Sequence, residues 1–288
     1  MTVAVLGEAL IDLIIGEDGA YRPHLGGSPY NVAIGLARQG IQVSYLSPFS
    51  DDSFGDQLHA SLCEEGVETP IARRSLWPTS LALVTIDDEG MPSYRLYREG
   101  IADKDTSFEE VQENLPYNLK VFHTGSLAIT PSQLPKIRKL FTLMHEQGVV
   151  VSLDINIRLR ASINTKAYLD GVRSLLPLAD IVKASDEDLE PFQFASNASE
   201  AAERAYEEMG SGMLVLTQGN GGALLYTAKG TIEKPSYPIA NIEDTVGAGD
   251  TFHSALLASL CRADAIIGPY RGIDSGVLGD AVEFACAA

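Results

Sequence analysis

Short apolar runs alternate with longer amphipathic stretches along the chain. Residues 3–6, 43–46, 121–123, 149–153, 180–183 and 213–216 are brief and rich in β-branched or large apolar side chains. Turn or polar residues bound each run, the pattern of strands buried on both faces. Between them, apolar positions recur at helical spacing over 31–38, 54–65, 133–147, 165–176, 200–209 and 251–261. Strands that alternate with helices imply crossover units, and so a mainly parallel sheet covered on both faces.

Two places break the alternation. Residues 10–15 are a second apolar run with no helix before it, and 80–86 with 93–97 predict a hairpin around 87–90. A hairpin inside a parallel α/β chain reads as an inserted lid or edge sheet. A second hairpin is predicted from 222–226 and 230–234. No repeat, low-complexity tract or interdomain linker interrupts the pattern. The expectation is one domain over 1–288, with a lid from 10–25 and 77–105. The helix predicted over 275–288 has no C-cap glycine, so its end either frays or is cut short.

Composition narrows the function. The 288 residues hold 21 basic and 39 acidic side chains, a net charge of −18. That balance argues against nucleic acid or an anionic membrane as partner, because both need a basic face. It does not bar small anions held by backbone amides. Cys63, Cys261 and Cys286 are scattered, with no zinc spacing and no disulfide framework. No basic leader opens the chain, and no apolar run nears the ~20 residues that span a bilayer. A cytoplasmic protein is expected. His24, His59, His123, His145 and His253 form no metal-ligand pair, and Trp77 reads as a packing residue before the lid.

The strongest chemical signal is Asp244-Thr-Val-Gly-Ala-Gly-Asp250, followed at once by a helical stretch. Gly247 and Gly249 allow a tight turn whose amides point outward at a helix N-terminus, a ready anion site. A carboxylate at Asp250 either caps that helix or takes a proton from a hydroxyl beside the anion. No G-x-x-x-x-G-K-[ST] and no G-x-G-x-x-G competes with this loop.

This string resembles the second signature of the ribokinase-like (PfkB) carbohydrate kinases. Gly26-Gly-Ser-Pro-Tyr-Asn31, running on through a helix to Gly40, resembles the first. Both stand in order, and the resemblance covers nearly the whole chain. It implies a ribokinase-like three-layer α/β/α fold with a small β-sheet lid. It also implies phosphoryl transfer from ATP to a sugar hydroxyl, with magnesium bridging the phosphates.

The resemblance also implies roles for individual residues. Asp250 is the general base, and the amides of Gly247, Ala248, Gly249 and Asp250 form the anion hole. Asp12 holds sugar hydroxyls, Gly26 and Gly27 let the chain approach the sugar, and Asn31 offers donor and acceptor together. Tyr94-Arg-Leu-Tyr-Arg98, with Ala102-Asp103 after it, resembles the fructokinase version of the lid strand. Arg98 is then a ligand-facing cation and Tyr97 an aromatic wall, although strand alternation puts the two on opposite faces unless the strand bends.

Asp154-Ile-Asn-Ile-Arg158 resembles the family's Asp-x-Asn-x-Arg element, with Arg158 reaching the sugar or a phosphate and Asn156 near the metal and phosphates. On the nucleotide side stand Lys183, Ser185, Thr217, Gly219 and Gly222. Asp188 occupies the position where the family usually has Glu, as a magnesium partner through phosphate or water. Asp244 is the candidate for a monovalent cation such as K+. Fructose is the sugar the lid string favours. 2-Keto-3-deoxygluconate is the rival, nucleosides such as aminoimidazole riboside are weaker options, and a non-catalytic sugar or nucleotide sensor is a more remote reading. The lid also implies a homodimer.

Overall fold

The computed structural model describes residues 1–16, 18–86, 92–238, 245–266 and 273–288. Strand β1 (Thr2–Val5) is followed by the antiparallel pair β2 (Leu10–Ile15) and β3 (Tyr21–Gly26). Helix α1 (Ser28–Arg38) returns the chain to β4 (Gln42–Tyr45). Two-residue strands β5 (Phe49–Ser50) and β6 (Arg74–Ser75) flank α2 (Ser53–Glu64) and precede the pair β7 (Ser80–Ile86) and β8 (Pro92–Tyr97).

Regular crossovers follow: α3 (Phe108–Glu113), β9 (Leu119–Gly125), α4 (Leu134–Glu146), β10 (Val150–Asp154) and α5 (Thr165–Arg173). Next come β11 (Ile181–Ser185), the one-turn helix α6 (Asp186–Leu189), α7 (Ala198–Met209) and β12 (Met213–Thr217). The described chain ends with the hairpin β13 (Ala223–Thr227) and β14 (Gly230–Lys234), then α8 (Ala248–Arg262) and α9 (Ser275–Ala287).

Eight strands form the central sheet in the order β14-β13-β12-β11-β10-β9-β1-β4. Six are parallel, and only the β13–β14 hairpin runs against its neighbours. One apolar cluster joins the sheet to α1, α2, α8 and α9, and a second joins its other face to α4, α5 and α7. Val3, Ala4 and Val5 lie inside on both faces, which explains a continuous apolar run where a half-exposed strand would alternate.

The second sheet has the order β3-β2-β7-β8, with β2 and β7 parallel and both outer pairs antiparallel. It is built from the two runs that break the alternation, and the turn expected at 87–90 lies outside the described residues. Helix α1 begins at Ser28, with Gly27 before it and Pro29 in its first turn. Asn31 is therefore inside the helix, not capping it, and its side chain is free for another use.

Candidate active site

A cavity of about 640 Å³ lies between the four-stranded sheet and the carboxyl ends of the central strands. Its lining includes Asp12, Gly27, Asn31, Arg158, Gly247 and Asp250, which belong to the expected site. Open α/β sheets place ligands at this edge, where successive strands leave a crevice.

Asp250 sits in the first turn of α8 and is 8% exposed. Gly247, at φ 78°, turns the chain into the helix, and the Thr251 amide donates to the Gly247 carbonyl at 2.8 Å. The Ala248 amide is turned back to the Thr245 carbonyl at 3.2 Å, so it is not presented outward with those of the first helical turn. Both Asp250 oxygens are held by α1. Ser28 Oγ donates to Oδ1 at 2.7 Å, and Asn31 Nδ2 donates to Oδ2 at 2.8 Å. Burial raises the carboxyl above its ordinary value, and the two donated hydrogen bonds pull it partly back.

Asp12 faces the cavity from β2, opposite His24 on β3. Burial raises its pKa, against the charges of His24 and Arg158. The two glycines before α1 are dictated by space. A Cβ on Gly26 would lie 2.5 Å from Asp12 Oδ2. One on Gly27, whose φ is 116°, would lie 2.5 Å from the Glu8 carbonyl oxygen.

Below α8 runs a buried polar chain. Lys183 Nζ donates to both Asp154 oxygens at 3.1 Å, and His253 Nδ1 faces Asp154 Oδ2 at 3.6 Å. His253 Nε2 meets Ser152 Oγ at 2.8 Å, and Ser152 Oγ meets His123 Nδ1 at 3.0 Å. Burial alone would raise Asp154, but Lys183 and His253 outweigh it and hold the carboxyl well below its usual range. Burial likewise works against the Lys183 charge, yet Asp154, Asp188 and Asp250 keep its pKa raised. A Cβ on Gly249 would sit 3.2 Å from Lys183 Nζ, so the ammonium lies beside the first turn of α8.

The other expected nucleotide-side residues stand at neighbouring strand ends. Ser185 caps α6 in a capping box with Asp188. Asp188 Oδ1 also accepts the Ile157 amide at 2.7 Å, which ties this turn to the segment carrying Asn156 and Arg158. Asn156 holds a left-handed φ of 36° and is buried. Thr217 Oγ1 donates to the Ala184 carbonyl at 3.4 Å, and Gly219 and Gly222 turn the chain after β12 at φ 50° and 87°. Among the described residues no group of three His, Cys, Asp or Glu side chains is arranged to hold a metal. Asp244 lies outside the described residues.

Two expectations for the lid require correction. Arg98 does not face the cavity: its Nη1 and Nη2 donate to Asp103 at 2.8 and 3.1 Å, Nη1 also donates to Ser80 Oγ, and the ion pair is buried. Tyr97 does not form the cavity wall either. It is 56% exposed, and Tyr94 and Leu96 line the cavity in its place. The period of two along β8 gives this result directly, since 94 and 96 share one face and 97 takes the other.

Sequence reasoning also passed over Glu8, Ser28, Ser126 and Arg160, all in the cavity lining. Ser28 carried a signal, since it lies inside the first glycine motif. Arg160 follows Arg158 at a spacing of two, and its Nη1 donates to the Tyr94 carbonyl at 2.8 Å.

An acid at a helix N-terminus facing a polar crevice suits group transfer to a hydroxyl, and the similarity to known proteins places the chain among the phosphotransferases with an alcohol acceptor. The chain belongs to the pfkB family of carbohydrate kinases, whose profile it matches over residues 2–288. It is 31% identical over 259 residues to a fructokinase of Rhizobium leguminosarum bv. trifolii, covering 88% of this chain and 78% of that one. The structure superposes with a TM-score of 0.89 on a fructokinase with bound ATP from Xylella fastidiosa, at 28% identity over 99% of this chain and 90% of that one. A fructokinase from Vibrio cholerae O395, in a form with fructose, ADP and calcium bound, gives 0.85 at 26% identity, with 99% and 90% covered.

Proposed function

We propose that this sugar kinase transfers the γ-phosphoryl group of ATP to a hydroxyl of D-fructose. The observation that carries the reading is Asp250, held by Ser28 and Asn31 at the head of α8 and facing the same cavity as Asp12. Asp12 and Asn31 bind sugar hydroxyls, and Arg158 closes the opposite wall. Asp250 accepts the proton of the attacking hydroxyl, with its burial keeping its affinity for that proton high. The outward amides of Gly249 and Asp250, with Lys183 beside them, stabilise charge on the transferring group. Ser185, Thr217, Gly219 and Gly222 border the nucleotide, and Asn156 orients its phosphates.

The donor set fits a magnesium ion carried chiefly by the phosphates of ATP, because Asp188 is committed to the Ser185 and Ile157 amides. When bound, the ion neutralises phosphate charge.

Fructose is favoured over 2-keto-3-deoxygluconate by the cavity's acids. Glu8, Asp12 and Asp250 line it against two cations, Arg158 and Arg160, and Arg98, expected as a ligand-facing cation, is spent on Asp103. A lid-to-lid homodimer fits the exposed Tyr21, Leu25 and Tyr97, which lie on the lid face away from Leu10 and Asp12. Product formation should be measured with fructose, 2-keto-3-deoxygluconate, ribose and aminoimidazole riboside. Preference for fructose by kcat/KM is the expected result, and turnover of the keto acid alone overturns the assignment.

A further inference from the structure

We propose that Glu8 is an additional sugar-binding group, taking a hydroxyl of an uncharged sugar at the end of the cavity beside Ser28 and Ser126. The proposal rests on the sugar-kinase reading and sharpens its substrate class. Glu8 follows β1 by three residues, is 1% exposed, and lines the cavity with Asp12, Asn31 and Asp250. Its Oε1 accepts the Ser28 amide at 3.3 Å, while Oε2 has no hydrogen-bond partner among the described residues. The Arg98 Nη atoms bond Asp103 and Ser80, but its buried Nε has no partner, and both the Arg98 charge and the Ser126 hydroxyl act on the Glu8 carboxyl.

A purely structural role for Glu8, capping α1, accounts for one oxygen, and through a long contact. The second oxygen is then left without a well-formed hydrogen bond, and only the Arg98 charge and the Ser126 hydroxyl offset its burial. A ligand hydroxyl supplies that bond. It both donates and accepts, so it serves Glu8 as carboxylate or as carboxylic acid. Burial pushes this carboxyl up to about 7 against the pull of Arg98, which keeps both forms within reach near neutrality. A sugar carboxylate in the same place would set two acids face to face. Glu8 in its ionised form therefore favours a hydroxyl over a carboxylate at this one position of the sugar.

The test uses Glu8→Ala and the closer mimic Glu8→Gln in the full chain at pH 8. The readouts are KM for fructose, KM for ATP and the melting temperature. Loss of a charged acceptor should raise KM for fructose about tenfold in Glu8→Ala and about fivefold in Glu8→Gln, with KM for ATP within about twofold of the parent. An active parent whose Glu8→Gln variant keeps its KM for fructose within twofold overturns the assignment of Glu8 alone. A rise in both KM values together, with a lower melting temperature, overturns it in favour of a structural cap. A parent that phosphorylates no sugar in the panel overturns the sugar-kinase reading, and the Glu8 proposal with it.

Discussion

Asn31 Nδ2 and Asp250 Oδ2 meet at 2.8 Å, although 219 positions separate them along the chain. The contact joins the first glycine motif to the second and locks α1 against α8. It also explains why Asn31 stands one turn inside its helix: from there the amide reaches across the helix pair, which a capping position would not allow.

Asp250→Asn tests the base. The amide keeps the shape and the contact with Ser28, but it cannot accept the hydroxyl proton. We expect kcat to fall about 10²–10⁴-fold while fructose and ATP still bind. Single-turnover rates with calorimetric binding separate the two effects, and near-parental turnover removes Asp250 from the chemistry.

Ser28→Ala tests the tuning of that base. Burial raises the Asp250 carboxyl, and the Ser28 hydroxyl is the first of the contacts that hold it down. Removing the donor moves the carboxyl further up, so a larger fraction is protonated and inert as a base at any acidic pH. The acidic limb of the kcat/KM profile should shift to higher pH, with activity about tenfold lower at its acidic end and least affected at alkaline pH. An unmoved limb would assign the profile to another group.

Arg98→Met tests the corrected lid. Its pair with Asp103 is buried, with side chains 6% and 4% exposed, so removing the cation leaves an unpaired acid inside. The loss should be about 3–5 kcal/mol in urea unfolding, and the double variant Arg98→Met, Asp103→Leu should recover part of it. If the single variant is as stable as the parent but loses sugar affinity, Arg98 is a ligand contact after all.

The parallel sheet, the lid strands and both glycine motifs were legible because each is local. Apolar runs mark strands, glycines mark turns, and the signatures stand intact in order. What escaped depends on partners distant in the chain or on the face a side chain takes. Arg98 has the chemistry of a ligand clamp, and only the folded turn at 102–104 shows that Asp103 has claimed it. Tyr97 and Tyr94 are the same residue type on one strand, separated by which face each occupies. Glu8 reads as an ordinary polar residue after a strand until its burial and its unmatched oxygen are seen. The chain from His253 through Ser152 to His123 draws on three elements, so no spacing rule could reveal it.

The bonds from α1 to Asp250 also set an order in time. A ribosome delivers Asp12, Ser28 and Asn31 early and Asp250 more than two hundred residues later. Until α8 emerges, the early half holds Asp12, Ser28 and Asn31 without Asp250, and the apolar face of α1 that α8 covers stays open. The segment that carries Asp250 is thus also the lock on the first helix. On the proposed mechanism, a nascent chain gains its activity only once α8 has docked on α1.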